Sequence, residues 1–267
     1  MKIYDAASDI VAKAMRGQGL LPCDLSGVDS KELGAFLKGE FEPALAEPLA
    51  TALKLDGPAL ARYQEAFPEP ELPAGVTRIE LPFEDDTVNA WALRSGATLL
   101  VVDAGLGSTD LASALPEEPV SCLLITHPHR DHIGGISGVR SRVDRLVAPV
   151  SIPDGERITA GDQVGVGAFR IEAFSLAGHH PDALGYRIDW PGGRCVAVGD
   201  AVFAGSAGGC PDLDAYAMAR RTIAEGLGSV PNDVVLLTGH GQATTLGVER
   251  SRNPFLARWL AGSATGS

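Results

Sequence analysis

Eight strand-like segments between residues 76 and 240 constrain the fold of this chain more than any other feature. They are apolar runs rich in β-branched and aromatic residues, separated by turn signals such as SG, PGG and PND. The runs are VTRIELPF, NAWALRSG, ATLLVVDAG, SCLLITH, FRIEAFSL, LGYRIDW, RCVAVGD and DVVLLTGH. Helical patterns cover about 211–226 and 246–260. This part of the chain therefore predicts an α/β domain rich in strands.

The first 67 residues have no alternating β pattern and predict helices instead. The stretches AASDIVAKAM, DSKELGAFLKGE, EPLATALKL and DGPALARYQEAF have helical spacing. Asp29 or Ser30 is a suitable N-cap, and Pro58 suits a first helical turn. The proline-rich stretch FPEPELPAG follows as a linker. We therefore predict a helical domain at residues 1–70 and a second domain at 71–267, which ends in a fraying tail, AGSATGS.

Composition excludes several classes of protein. The 267 residues carry a net charge of −12, which disfavours nonspecific binding to nucleic acid or anionic lipid. No apolar run reaches membrane-spanning length, and the N-terminus lacks the apolar core of a signal peptide. The four cysteines have no CxxC spacing, so buried, reduced thiols are expected. A cytoplasmic protein without a membrane partner is the expectation.

Half of the six histidines lie in one short stretch, THPHRDHIGG. Pro128 favours an extended conformation at His127, and residues two apart in an extended chain project to the same side. The side chains of His127 and His129 can therefore converge just after a buried strand, with Asp131 and His132 at the following turn. Imidazole and carboxylate ligands together suit zinc or a similar divalent metal.

The other candidate ligands also follow strand-like runs, in glycine-flanked loops. His179 and His180 lie in SLAGHHPD, Asp200 lies in CVAVGDAVF, and His240 lies in VVLLTGHG. Loops at the edge of a sheet commonly carry functional groups on a rigid scaffold. Together these residues suffice for two adjacent metals, each with an open position.

The succession THPHRDHIGG, GHHPD, GDAVFAG and GHG resembles the metallo-β-lactamase superfamily. The ending LLTGHGQATTLGVERSRNPFL is similar to its glyoxalase II-like members, the hydroxyacylglutathione hydrolases and related thioesterases. The resemblance covers about residues 76–260 and implies an α+β protein. The implied fold is an αββα sandwich of two mixed sheets with helices outside, preceded here by a small all-α domain.

The resemblance also implies a dinuclear metal centre. The ligands of one metal would be His127, His129 and His179. The ligands of the other would be Asp131, His132 and His240. Asp200 would bridge the two metals, and Asp131 would also carry a proton in catalysis. His180 is expected to be a nonligand. Asp103, in VVDAG, is either a buttress of the site or a strand-end turn residue.

We therefore expect a metallohydrolase that cleaves a thioester, lactone or related ester of a small acyl substrate. Two Zn²⁺ ions are the expected cofactors, with iron and manganese as alternatives. Gly209 stands where many glyoxalase II-like proteins have arginine, and the chain stops soon after NPFLARWL, so a glutathione-specific substrate is not expected. A mononuclear iron persulfide dioxygenase is the alternative enzyme.

The N-terminal segment resembles a degenerate helix-turn-helix domain, which raises a regulator with a DNA-binding N-terminus as a further alternative. Residues 1–70 hold seven Lys and Arg against eleven Asp and Glu, a net charge of −4. A DNA reader needs basic residues on its recognition helix. We therefore favour a docking, lid or dimerisation role for this segment and expect no nucleic-acid partner. A homodimer is left open.

Overall fold

The computed structural model describes residues 3–261, and the first part of this range is helical. The helices are α1 (Ala7–Gln18), α2 (Ser30–Phe36), α3 (Ala46–Leu53) and α4 (Gly57–Ala61), with 3₁₀ turns at Pro22–Asp24 and Pro43–Leu45. The Asp29 carboxylate caps α2 by accepting from the backbone N–H groups of Lys31 and Glu32 at 2.9 and 3.1 Å. Each predicted helical stretch therefore contains a helix.

The first sheet has six strands, which run in chain order from one edge to the other. They are β1 (Val76–Phe83), β2 (Asp86–Ser95), β3 (Thr98–Val102), β4 (Cys122–Leu124), β5 (Leu146–Ala148) and β6 (Glu156–Arg157). The first three pair antiparallel, and β3 to β6 pair parallel. The mixed pairing brings the carboxyl ends of β3 and β4 to the same edge.

The second sheet also has six strands and contains the rest of the predicted runs. Its strands begin with β7 (Gln163–Val166), β8 (Phe169–Ser175), β9 (Leu184–Trp190) and β10 (Gly193–Gly199). A separate hairpin follows, β11 (Val202–Phe203) with β12 (Ser206–Ala207), before β13 (Val235–Thr238) and β14 (Thr244–Thr245) complete the sheet. Its order is β14-β13-β10-β9-β8-β7, with β10 and β13 parallel. The carboxyl ends of β10 and β13 therefore also share an edge.

The remaining helices cover the outer faces of the sheets. They are α5 (Asp110–Ala114), α6 (Arg130–Ile133), α7 (Ile136–Val139), α8 (Leu213–Leu227), α9 (Leu246–Arg252) and α10 (Leu256–Trp259), with a 3₁₀ turn at Arg140–Arg142. The helical pattern predicted near 246–260 is split in two at Asn253 and Pro254. Pro254 lacks the backbone N–H that a continuous helix needs.

Successive side chains of β3 pack on opposite faces of the first sheet, in two different apolar clusters. Leu100 and Val102 face the second sheet within one apolar cluster, whereas Leu99 and Val101 pack in another cluster beneath α5 and α7. A third cluster joins the outer face of the second sheet to α8, α9 and α10. The predicted αββα sandwich with helices at its N-terminus is confirmed.

The N-terminal helices pack into that third cluster as well. Ile10 of α1, Leu49 of α3 and Leu60 of α4 are fully buried in the same continuous apolar cluster as Leu236 of β13 and Phe255. The division of the chain near residue 70 stays a prediction. The shared core nevertheless fixes the N-terminal helices against the layer that carries α8 to α10.

Three smaller expectations concern cysteines, membranes and the tail. Cys122, Cys195 and Cys210 are buried free thiols, but Cys23 is exposed because its 3₁₀ turn lies at the surface. Within residues 3–261, no helix combines the length and apolar character needed to cross a bilayer. Most of the AGSATGS tail lies outside the described residues.

Candidate metal centre

The loop after β4 brings two of the predicted histidines together. Nε2 of His127 lies 3.0 Å from Nδ1 of His129, and the backbone of His129 is extended, with φ of −65° and ψ of 148°. The chain then turns into α6 with His129 at the N-cap. The turn is possible because a Cβ on Gly134 or Gly135 would lie within about 2 Å of the backbone oxygens of Leu106 and Ala104, at 2.1 and 1.9 Å.

Four strand ends supply two groups of converging side chains. The first group is His127, His129, His179 and Asp200, and the second is Asp131, His132, Asp200 and His240. Within each group, the candidate ligand atoms all lie within 4.8 Å of one another. The structure therefore brings together all seven residues that the sequence singled out, in the two sets that the resemblance implied.

Asp200, which follows β10, belongs to both groups. Its Oδ2 lies 3.9 Å from His127 Nε2, 3.6 Å from His179 Nε2 and 3.5 Å from His240 Nε2. Its Oδ1 lies 3.2 Å from His132 Nε2. This single carboxylate therefore stands between the two sets of imidazoles, as a bridging ligand would.

The outward-facing nitrogens of three histidines are held by acceptors. Nδ1 of His179 donates to the Gly209 carbonyl at 2.8 Å, and Nδ1 of His240 donates to the Thr87 carbonyl at 2.7 Å. Nδ1 of His132 faces the Asp103 carboxylate at 2.8 Å. A proton on Nδ1 leaves the Nε2 lone pair free to face the centre, which is how metal-binding histidines are oriented.

Asp103 serves both of the roles that the sequence left open. It ends β3 in the left-handed region, with φ of 60°, so it is a strand-end turn residue. Its Oδ1 accepts from the Thr126 backbone N–H, and its Oδ2 accepts from the Thr126 hydroxyl, both at 2.8 Å. Because Oδ2 also contacts His132, the same carboxylate fixes the start of the ligand loop and the orientation of one ligand.

The donor atoms fit divalent metal ions in spacing and chemistry. Neighbouring candidate ligand atoms in the two groups lie 3.0 to 3.9 Å apart, and the distances from Asp131 Oδ2 to the Nε2 atoms of His132 and His240 fall in the same range. Tetrahedral zinc with bonds of about 2.0–2.2 Å needs edges of about 3.4 Å. Among the described residues, the buried atoms His132 Nε2 and Asp200 Oδ1 have no hydrogen-bond partner of acceptable geometry. A shared cation would satisfy both atoms.

The electrostatics of the site favour ionised aspartates and hence cation binding. Burial disfavours the charge of Asp200, but the neighbouring His132 outweighs it and holds the pKa of Asp200 well below its usual range. Burial lowers the pKa of His127 well below its usual value, and the imidazole of His132 adds to this effect. At the second group the carboxylates outweigh burial: Asp200 and Asp103 raise the pKa of His132 well above its usual value, and Asp131 and Asp200 raise the pKa of His240 to about 9. Metal binding requires neutral imidazoles, so a metal at the second group would displace protons from these two histidines.

His180, Cys210 and the acidic run 84–86 lie outside both groups. His180 is partly exposed, and its Nδ1 accepts from the Asp182 backbone N–H at 3.1 Å. Cys210 is buried, and burial raises the pKa of its thiol to about 11. The acidic run 84–86 is exposed at the turn between β1 and β2. The position of His180 agrees with its expected role as a nonligand.

Sequence reasoning missed several residues that hold the His240 loop. Asn89 is fully buried in β2, and its Nδ2 donates to the carbonyls of Thr238 and Gly241 at 3.0 and 2.8 Å. Tyr4 stacks on the His240 ring. A polar residue inside the apolar run NAWAL could have drawn attention to Asn89, but no local pattern marks Tyr4.

Comparisons with known proteins agree with this geometry. A family model described as the metallo-β-lactamase superfamily matches residues 84–149. A hydroxyacylglutathione hydrolase of Cupriavidus metallidurans is 30% identical, and the match covers 67% of this chain and 73% of that protein. The probable metallo-hydrolase YqgX of Bacillus subtilis is 25% identical, over 66% of this chain and 95% of that protein.

Solved structures show the same fold. The crystal structure of ETHE1 from Myxococcus xanthus aligns with a TM-score of 0.55 at 18% identity, covering 71% of this chain and 90% of that one. At this identity the likeness concerns the fold. The matched family model, the relative that is 30% identical over most of its length and the shared sandwich lead to one conclusion: the chain belongs to the metallo-β-lactamase superfamily.

Proposed function

We propose that this chain is a hydrolase that uses two divalent metal ions, with zinc as the expected metal, to cleave a thioester, lactone or related ester. The observation that carries the proposal is the position of Asp200, which belongs to both groups of candidate ligands and lies between their imidazoles. A mononuclear centre would need only one of these groups. The similarity to hydroxyacylglutathione hydrolases supports the choice of hydrolysis and makes thioesters the first substrates to test.

Metal ions held at these two groups would lower the pKa of water from 15.7 to about 7 and polarise a carbonyl oxygen. His127, His129 and His179 would hold one ion, and Asp131, His132 and His240 would hold the other. His127 and His132 are 1% and 0% exposed, so their imidazoles are fixed by packing before a substrate arrives. Such preorganisation is a large part of electrostatic catalysis.

Asp131 is suited to move a proton. Its Oδ2 lies 3.2 Å from His240 Nε2, whose hydrogen bond helps lower the pKa of Asp131 against the opposing effect of burial. An ionised carboxylate at this position accepts a proton from an attacking water and returns it to the leaving thiolate or alkoxide. The role is that of a general base followed by a general acid.

Among the described residues, no side chain near the centre is placed to act as a nucleophile. Cys210 is buried with a raised pKa, so its thiol stays protonated at neutral pH. Solvent reaches the centre on the side of His129, His179 and His180, which are partly exposed, whereas His240 is buried. We infer that a substrate carbonyl approaches from that side.

The proposal is tested with His127→Ala and His129→Ala, each compared with His180→Ala. We expect the first two variants to lose at least one metal per chain and to lose hydrolysis while remaining folded by circular dichroism. His180→Ala removes a histidine from the same opening that belongs to neither ligand group, although its ring stands edge-on to His129 at a centroid distance of 5.2 Å, so it should retain both metals. Metal content is measured by mass spectrometry after purification from metal-poor medium.

A substrate panel identifies the chemistry. Thioesters, lactones and phosphodiesters are assayed with zinc, manganese and iron, and glutathione thioesters are compared with simple thioesters of the same acyl group. We expect about two zinc ions per chain and turnover of thioesters or lactones. Retained turnover in His127→Ala would contradict the proposal. One iron per chain with oxygen-dependent oxidation of a persulfide would replace it with the dioxygenase alternative.

A further inference from the structure

The segment before α1 lies directly on the metal centre. The ring of Tyr4 stacks on the imidazole of His240, with centroids 4.5 Å apart and planes 20° apart. Tyr4 also contacts Phe203, at a centroid distance of 5.1 Å. Tyr4 precedes the first helix, about 236 positions before the ligand that it covers. The contact therefore joins the N-terminal helical part of the chain to the second ligand group.

The His240 imidazole needs such a contact because its hydrogen bonds constrain only its two nitrogens. Nδ1 donates to the Thr87 carbonyl, and Nε2 faces Asp131 and Asp200. Its ring is also bounded by Phe83, at 5.3 Å, and by Phe203 and His132, both at 5.8 Å, and all three rings are inclined to its plane. Tyr4 is the ring that lies nearly parallel to the imidazole, so it covers one whole face of the ligand.

Several contacts fix this segment in place. Lys13 of α1 pairs with the buried Asp5 and donates to the Ala207 carbonyl at 3.1 Å. Its ammonium also lies 4.9 Å from the centre of the Phe203 ring. The hydroxyl of Tyr63 donates to the Asp5 carbonyl at 3.2 Å. The segment is thus attached to its own helices and to the β12 strand.

The loop that carries His240 is shaped to receive the segment. Gly241 adopts φ of +70°, and a Cβ there would lie 3.2 Å from Tyr4 Cβ and 3.3 Å from its backbone nitrogen. A side chain at Gly241 would therefore be strained and would push Tyr4 away from the imidazole. The backbones of the two segments approach closely because glycine occupies this position.

We propose that Tyr4 is a positioning residue that completes the metal centre by holding His240 in its ligating orientation and excluding solvent from that side. The inference rests on the proposed function, since it concerns the second of the two metal ions. It gives the N-terminal helices a role: they deliver and anchor the segment that closes one face of the site. Tyr4 stacks on none of the three histidines of the first ligand group, which it reaches only through the shared Asp200, so the effect on the first metal should be small.

The test compares Tyr4→Ala and Tyr4→Phe with Phe41→Ala in the full-length protein. Phe41 lies in the same helical part, where its ring packs on Phe36 at a centroid distance of 5.6 Å, so its removal controls for general loosening of these helices. Zinc content is counted by mass spectrometry. The affinity of each zinc is measured by competition with a chromophoric chelator.

We expect Tyr4→Ala to bind the second zinc about three- to tenfold more weakly and the first zinc as the wild type does, since aromatic stacking is worth about 0.5–1.5 kcal/mol. Tyr4→Phe should rescue the loss because it keeps the ring, and Phe41→Ala should match the wild type. Wild-type affinity for both zincs in Tyr4→Ala overturns the role of Tyr4 alone. A wild type that binds fewer than two metal ions overturns the dinuclear proposal and this inference with it.

Discussion

Glu249 offers the sharpest test of the energetics of this fold, because its carboxyl is fully buried and forms no ion pair within 4.0 Å among residues 3–261. It lies on α9, and its two oxygens accept hydrogen bonds from the Thr244 hydroxyl at 2.7 Å, from Asn253 Nδ2 at 2.6 Å and from the Gly205 backbone N–H at 3.0 Å. These bonds favour the charged form, but burial outweighs them and raises the pKa of Glu249 to about 7.

The raised pKa sets both the sign and the size of a pH effect. An unfolded glutamate titrates at about 4.3, so between about pH 4.5 and 7 the folded state binds more protons than the unfolded state. The free energy of unfolding therefore falls as pH rises through this window, since stability rises with pH only where the unfolded state binds more protons. A difference of about 2.5 pKa units corresponds to about 3 kcal/mol lost by pH 8.

Glu249→Gln should remove this loss, because the amide mimics the protonated carboxyl. Its oxygen can accept from Asn253 and Gly205, and its NH₂ can donate to the Thr244 hydroxyl. We expect the variant to be more stable than the wild type at pH 8 by up to about 3 kcal/mol, or roughly 6–12 °C in Tm. The difference should shrink to about 1 kcal/mol at pH 5, where the unfolded glutamate is already mostly ionised, and should vanish below about pH 4.

The measurement is denaturant unfolding of both proteins, at equal metal content, from pH 5 to pH 8. Taking the difference between the two proteins at each pH cancels the titration of the histidines. Glu249→Ala is the matched control: it removes the acceptor of the Gly205 N–H and one of the two acceptors of Asn253 Nδ2, so it should be less stable at every pH. Equal pH slopes for the wild type and Glu249→Gln would refute the reasoning.

Two further substitutions test the support of the ligand loops. Asp103→Asn keeps the size of the side chain but loses one of the two acceptor oxygens that face Thr126 and His132. We therefore expect about 10- to 100-fold weaker zinc binding, measured by chelator competition. Unchanged zinc affinity would contradict the role of Asp103 in orienting His132. Gly199→Ala places a Cβ 2.5 Å from Thr126 Oγ1 at a φ of +48°. We expect the variant to lose at least about 2 kcal/mol of its free energy of unfolding, measured with denaturant. An unfolding midpoint equal to that of the wild type would show that the backbone there relaxes freely.

Sequence patterns predicted the parts of the fold that depend on local order. All eight strand-like runs contain strands, because period-two burial and flanking turn residues are local properties. The strands that the patterns missed are short or lie at edges, such as β6 (Glu156–Arg157), which is exposed on both residues. A two-residue strand with no buried side chain has no hydrophobic alternation to detect.

The candidate ligands were identifiable for a related reason. Histidine and aspartate are rare after apolar runs, and four strand ends carried them in glycine-flanked loops. Apart from Asp103, the residues that support these ligands were not identified, since a residue such as Asn89 acts through a partner about 150 positions away. Only the pairing of β1, β2 and β3 and the close approach of the two sheets bring such groups together.

This contrast between local patterns and long-range contacts also explains why the residues that hold the ligand loops come from both ends of the chain. The segment from Asp200 to Ala207 is held on one side by Glu249, through Gly205, and on the other by Lys13, through Ala207. Each ligand loop is glycine-rich and could not hold a buried carboxylate or imidazole in place by its own local bonds. The rigidity of these loops must therefore come from helices that are distant in the sequence. The sequences of those helices predict helix formation and contain no pattern typical of metal binding. A change at Glu249 or Lys13 should consequently alter the geometry of Asp200 without altering any ligand, and this makes the helices part of the site rather than its covering.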